Sequence, residues 1–215
     1  MIRAFLAVEL SSPLQAELAQ VQQELKQRIE PGMKRDVHIS WVRPAKVHLT
    51  VKFLGDMEEQ VIEPLRIALE QAIGSRIAVN LPLERLGGFP RPESPRVLWV
   101  GPSENWEREE EGKRVTEIHG AIEQACEGLS FLRETKPFSP HLTLARIKAG
   151  ERHVGVALAK GGVLDRPLSL GSLAVESVVL MKSELKPTGS VYTKLWDVWL
   201  RGESGARQAR GARLA

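Results

Sequence analysis

A single cysteine, Cys126, in a chain of 215 residues leaves no partner for a disulfide and no set for a multi-cysteine metal site. Long apolar runs are missing too: no uninterrupted stretch reaches the length that spans a bilayer. The opening residues, Met1-Ile2-Arg3-Ala4-Phe5-Leu6-Ala7-Val8-Glu9, lack the extended apolar segment of a secretory signal. These absences make a cytoplasmic protein without membrane association the expectation. Bulk charge is also scarce. The formal net charge is +3, and residues 201–215 supply all of it, with Arg201, Arg207, Arg210 and Arg213 against Glu203. Residues 1–200 are therefore formally neutral, which excludes a surface that coats nucleic acid by charge alone; phosphate recognition has to be local. Trp99, Trp106, Trp196 and Trp199 are not interleaved with basic residues as in proteins that track single strands, so they read as packing residues. The tail 201–215, rich in Gly, Ala and Arg with no apolar face, is expected to be disordered, leaving 1–200 as one domain of two lobes.

What the chain does have is a repeated stretch. Pro44-Ala45-Lys46-Val47-His48-Leu49-Thr50-Val51 is echoed by Pro137-Phe138-Ser139-Pro140-His141-Leu142-Thr143-Leu144. Each copy has a proline four residues before its histidine and a basic residue (Arg43, Lys136) before that proline. In an extended strand alternate side chains share a face, so His48 projects with Thr50, and His141 with Thr143. Leu49, Val51, Leu142 and Leu144 then turn toward a core. Two such strands facing across a cleft would offer two imidazoles and two hydroxyls. That set suits a phosphodiester: one imidazole accepts a proton, the other donates one, and the hydroxyls hold the non-bridging oxygens. An unperturbed imidazole titrates near neutrality, so both protonation states are within reach. Two histidines without a third ligand at a recognisable spacing fall short of an ordinary zinc set, so no metal and no cofactor is expected.

The remaining pattern is that of an α+β protein. Ile2 to Val8 reads as a buried strand, followed by a helix with Ser12 as N-cap, Pro13 at its first position and Leu14, Leu18, Val21, Leu25 and Ile29 inward. Val37 to Val42 predicts a strand, the first motif copy continues to Leu54, and Gly55-Asp56 is expected to turn the chain. A second helix carries Val61, Leu65, Leu69, Ala72 and Ile73 on its apolar side, with Gly74 as terminator and Pro64 awkward within it. Strands are predicted over Ile77 to Leu86 and Arg96 to Val100, separated by a Gly- and Pro-rich loop from Gly87 to Pro95 that is one candidate for a wall of the cleft. A third helix fits Lys113 to Glu127. The second copy gives a strand from His141 to Ile147, and after a glycine-rich loop near Gly161-Gly162, Leu173 to Met181 and Val191 to Leu200 form a hairpin. That order favours antiparallel or mixed sheet with helices outside over a doubly wound parallel sheet.

With both His-Leu-Thr copies in place, the chain resembles the two-histidine (2H) phosphoesterase superfamily, and within it the RNA 2′,3′-cyclic phosphodiesterases, earlier named 2′-5′ RNA ligases. The H-x-T-x pattern of that family is met twice, by His48-Leu49-Thr50-Val51 and His141-Leu142-Thr143-Leu144, with Arg3 to Ala7, Phe53-Leu54-Gly55 and Ser183-Glu184-Leu185 as supporting stretches. The resemblance implies two pseudo-symmetric lobes with the active-site cleft between them; a monomer is the expectation. It implies metal-independent opening of a 2′,3′-cyclic phosphate on RNA 3′ ends or nucleotides, leaving a 2′-phosphomonoester. By position, His48 would be the proton donor and His141 the acceptor, with Thr50 and Thr143 on phosphate oxygens. End-joining through a 2′-5′ linkage and non-catalytic binding of RNA ends are the alternatives. The resemblance also tempts a placement of Arg146 near phosphate and Phe53 under a base. Each lies five residues after a motif histidine, and strand parity opposes both unless the strand bulges.

Other candidates are weighed against plain packing. His38, His119 and His153 have no threonine two residues on; His119 reads as a packed helix residue, and His38 and His153 as surface or loop residues. Cys126 reads as a small apolar group. Arg43 and Lys136 are either charge at the cleft mouth or solvated ions.

Overall fold

The computed structural model describes residues 1–202 apart from 32, 165–167, 169 and 188, so the expected disorder of the tail falls, from residue 203, outside the described residues. Ten strands and four helices follow one another in the described chain. The first half runs β1 (Ile2–Glu9), α1 (Ser12–Ile29), β2 (His38–Trp41), β3 (His48–Met57) and α2 (Ile62–Ile73). Then come β4 (Val79–Pro82), β5 (Arg85–Phe89), β6 (Val97–Gly101), α3 (Glu110–Glu127), β7 (Leu142–Ala149) and α4 (Glu151–Lys160). The chain closes with β8 (Ser172–Val175), β9 (Ser177–Lys186) and β10 (Gly189–Trp199). Eight strands form one sheet in the order β10-β9-β1-β3-β7-β6-β5, with β2 also on β7, and β4 and β8 form a small second sheet. All described strand pairs are antiparallel. The fold is α+β, as the order of elements predicts.

The large sheet is two halves that barely touch. Pairs run from Ile2↔Met57 to Glu9↔His48 between β1 and β3, and from Val97↔Arg146 to Val100↔Leu142 between β6 and β7. Between β3 and β7 there is one pair, Leu49↔Leu142. Those two leucines are the middle residues of the two His-Leu-Thr copies, and both are buried. The pseudo-two-fold relation of the halves thus passes through the duplicated sequence itself.

Each motif strand also carries the same irregularity. Ala7 faces Thr50 and Leu6 faces Lys52, so Val51 is an extra residue in β3. Trp99 faces Thr143 and Leu98 faces Ala145, so Leu144 is the extra residue in β7. A bulge of this kind places two consecutive side chains on one side and reverses the alternation beyond it. Val51 and Lys52 are both buried, as are Leu144 and Ala145.

The helices complete the core, with side-chain hydrogen bonds where the strands are irregular. Ser11, not Ser12, caps α1: its hydroxyl accepts from the Leu14 N–H, and its carbonyl accepts the Gln15 N–H at 3.0 Å. Pro64 lies in the first turn of α2, where a missing N–H leaves no bond unmade. Gln22 of α1 donates to the carbonyls of Val42 (2.8 Å) and Leu144 (2.9 Å). Lys52 of β3, 1% exposed, bonds Glu123 of α3.

Several expected boundaries move. Gly55 does not turn the chain: at φ +73° it sits inside β3, next to a second register shift, and the strand continues to Met57. Ile77 to Leu86 is two strands, because the chain leaves the small sheet at Pro82 and enters the large one at Arg85. Leu173 to Met181 likewise divides at Glu176, β8 pairing β4 and β9 pairing β1. Gly87 to Phe89 belong to β5 and not to a loop; a Cβ on Gly87 would stand 2.1 Å from the Trp99 ring, so the glycine is there to let the indole lie flat on the strand. Helix α4 is absent from the sequence-based reading, and His153 falls within it. Among the described residues no helix is long and apolar enough to cross a membrane.

Candidate active site

The two histidines are held by the same local device. His48 Nδ1 lies 2.9 Å from the carbonyl of Lys46, and His141 Nδ1 lies 2.7 Å from that of Ser139. In both cases the acceptor is the carbonyl two residues earlier, delivered by the proline-containing approach to each strand: a 3₁₀ turn at Pro44–Lys46 in one, Pro137-Phe138-Ser139-Pro140 in the other. A carbonyl accepts only, so Nδ1 carries the hydrogen and Nε2 carries the lone pair of the neutral ring. As a neutral ring Nε2 accepts a proton; as an imidazolium it gives one.

Two aromatic rings wall each imidazole. His48 lies 4.9 Å from the Phe5 ring and 5.4 Å, edge to face, from Tyr192. His141 lies 5.0 Å, edge to face, from Phe89 and 6.2 Å from Trp99, which are themselves stacked at 5.0 Å. Phe5 and Tyr192 also touch each other at 5.1 Å. Both imidazoles are half-buried, and burial is the main cause that pushes each below its ordinary pKa. The Nδ1–carbonyl bond works against that shift in each, and the positive charge of Arg146 adds to it in each.

Arg146 therefore acts on both histidines, and the reason is the bulge at Leu144. In a regular strand the guanidinium would point into the core; with the bulge, Arg146 is exposed on the face that carries His141 and Thr143. Phe53 is placed in the same way by the bulge at Val51: it is 64% exposed, its ring 6.2 Å from Phe5 beside His48. Strand parity taken from a regular strand gives the wrong face for both residues. Thr50 and Thr143, half-buried, hold the faces expected of them.

Four contacts of the site are not legible in the sequence. Phe5, Tyr192, Phe89 and Trp99 reach the imidazoles from neighbouring strands, so only the register reveals them. Trp99 is buried, as a packing residue should be, yet it also walls His141; Trp199, by contrast, is 58% exposed and packs little. From the segment beginning at Gly87, Phe89 stands against the His141 ring. Lys46 donates its ammonium to the Ser190 carbonyl, tying the β9–β10 hairpin, and with it Tyr192, to the first motif. The plain readings hold elsewhere: Cys126 is fully buried, its thiol pushed up to about 12 chiefly by burial, and His119 stacks face to face on Phe138 at 4.1 Å. Among the described residues no group of three or more His, Cys, Asp or Glu side chains is arranged to hold a metal ion.

The chain is similar to proteins of known sequence and structure. The family model described as LigT like Phosphoesterase matches residues 8–99 and 107–192. The RNA 2′,3′-cyclic phosphodiesterase of Thermus thermophilus is 36% identical, the alignment covering 98% of this chain and 96% of that one. That of Methanothermobacter thermautotrophicus is 27% identical over 90% of this chain and 96% of its own. The crystal structure of TT0787 from Thermus thermophilus superposes with a TM-score of 0.67 at 30% identity, covering 94% of this chain and 100% of that one. The chain belongs to the LigT-like phosphoesterases, a family of enzymes in the two-histidine superfamily.

Proposed function

We propose that this phosphoesterase hydrolyses 2′,3′-cyclic phosphates at the 3′ ends of RNA, or on nucleotides, to 2′-phosphomonoesters. The observation that carries the reading is the matched pair of imidazoles, each with Nδ1 bound to a backbone carbonyl and Nε2 free, on either side of the Leu49↔Leu142 junction. The name shared by the relatives from Thermus thermophilus and Methanothermobacter thermautotrophicus supports the substrate.

In this reaction water attacks phosphorus while His141 Nε2 takes its proton. The bond from phosphorus to the 3′ oxygen breaks, and His48 Nε2 supplies the proton that makes the 3′ hydroxyl. The phosphate stays on the 2′ oxygen. Thr50 and Thr143 hold the non-bridging oxygens, and Arg146 balances the charge that gathers on them in the transition state. Exposed Phe53 offers a face for the terminal base. No metal enters any of these steps.

The test is incubation of a 2′,3′-cyclic-ended oligonucleotide in EDTA with wild type, His48→Ala and His141→Ala, followed by identification of the hydroxyl that keeps the phosphate. The expected result is a 2′-phosphate from wild type and a loss of about 10²–10⁴-fold in each variant, the usual contribution of a positioned acid or base. An inactive wild type, or a histidine variant with full activity, sinks the proposal.

A further inference from the structure

Among the described residues the buried polar or charged side chains are Gln22, Lys52 and Glu123, and all three lie beneath the two motifs. Their position addresses a difficulty in the architecture. The two halves of the sheet share the single backbone pair Leu49↔Leu142, which by itself resists twisting of one half against the other only weakly. Acid–base chemistry at one phosphorus requires both imidazoles in a fixed relation, since a misplacement of about 1 Å can cost ~10²-fold.

Each buried polar group ties chain that flanks one motif to chain that flanks the other. Gln22 of α1 bonds Val42, on the chain that runs from β2 into the first motif, and Leu144, the extra residue of β7 in the second. Lys52, two residues past Thr50 in β3, donates to Glu123 at 2.7 Å and to the Leu132 carbonyl at 2.9 Å. The other oxygen of Glu123 accepts the Glu134 N–H at 3.1 Å. Residues 132–134 lead directly into Pro137–His141, and Phe138 within that approach stacks on His119, one helical turn before Glu123. We propose that Gln22, Lys52 and Glu123 are positioning residues that fix the two motif strands relative to each other, so that His48 and His141 address the same phosphate.

Stability alone does not call for these groups. A buried ion pair recovers little more than its desolvation cost, and well-packed apolar residues of similar volume often serve as well or better. Removing one partner is different, because it strands a charge in the core. The informative variants are therefore Lys52→Met/Glu123→Leu, which removes both charges together, and Gln22→Leu, which removes two hydrogen bonds without stranding a charge.

The inference rests on the proposed hydrolysis of cyclic-ended RNA, and its test has a readout that does not. Both variants are expected to melt within a few degrees of wild type and to lose about tenfold or more in kcat, with KM little changed. Amide exchange by NMR is expected to show lost protection at Glu134 in the double variant. Should the double variant not fold, Lys52→Met/Glu123→Gln, which keeps the shape of the carboxylate side chain and strands no charge, takes its place in the same measurements. Stable variants with wild-type kcat and wild-type protection at Glu134 overturn the inference. A wild type inactive on cyclic-ended RNA instead overturns the proposed reaction, and the exchange measurement still reads whether the approach to His141 has come loose.

Discussion

The half of the site around His48 and the half around His141 share a frame and differ in what is mounted on it. Both imidazoles bind a carbonyl two residues earlier, both have a threonine two residues later, and both strands carry an extra residue right after that threonine. At the fifth position past the histidine the halves part: an exposed phenylalanine in one, an arginine in the other. The walls differ as well, Phe5 and Tyr192 against Phe89 and Trp99. In the proposed reaction the repeated frame would bring two equivalent bases to one phosphate, and the unequal residues would give the pair a direction. A cyclic phosphodiester is itself unequal, with a base on one side and a departing oxygen on one edge, so a site of perfect symmetry would bind it in two orientations.

The largest test of that difference lies in the leaving group. A nucleotide phosphodiester that releases nitrophenolate needs no proton on departure, so His48→Ala is expected to recover most of its lost rate there. His141→Ala, which lacks the base, stays slow by about 10²-fold or more. Recovery in His141→Ala alone would reverse the roles. Next in size is Arg146→Met, expected to lower kcat/KM by about 10²-fold through the lost charge at phosphate. Its pH profile is more telling. Arg146 holds both imidazoles down, after burial, so removing it should move both limbs of the kcat/KM bell to higher pH. The sign follows because a neighbouring cation disfavours the protonated ring. A profile that does not move would place the guanidinium away from the histidines. The smallest effect belongs to Phe53→Ala. Stacking on one base is worth about 1–3 kcal/mol, so KM for a cyclic-ended oligonucleotide should rise about tenfold with kcat unchanged. An equal loss in kcat would put the ring in the chemical step.

The chemistry-bearing residues were easier to read than their surroundings. His48, Thr50, His141 and Thr143 stand out because a duplicated sequence is visible without any structure. Helices α1, α2 and α3 are legible through the spacing of Leu14, Leu18 and Leu25, of Leu65 and Leu69, and of Val115, Ile118 and Ile122. Helix α4 is not. It buries only Val154, Gly155 and Leu158, and Gly155, which looks like a helix breaker, is required because a Cβ there would meet the Glu93 carbonyl at 2.1 Å. The divided strands at Leu83–Glu84 and Glu176 escape notice because both pieces are apolar, and the change of sheet leaves no mark on periodicity. The bulges escape for a deeper reason. An extra residue is defined by its partner strand, and the pairing of β1 with β3 or of β6 with β7 is not written locally in either segment.

Those two unpaired residues make pairing, more than chain length, the sensitive point of each motif strand. Deleting Val51 would close the bulge, give Lys52 the inward place that Val51 leaves and keep the ring of Phe53 on the face of His48. The equivalent deletion of Leu144 would turn Ala145 inward and keep Arg146 on the face of His141. A regular strand with every residue retained would do the reverse, bringing out Lys52 and Ala145 and driving the ring of Phe53 and a guanidinium into hydrocarbon. A slip of one place in pairing, with no change of sequence at all, would therefore turn the protein inside out at its centre.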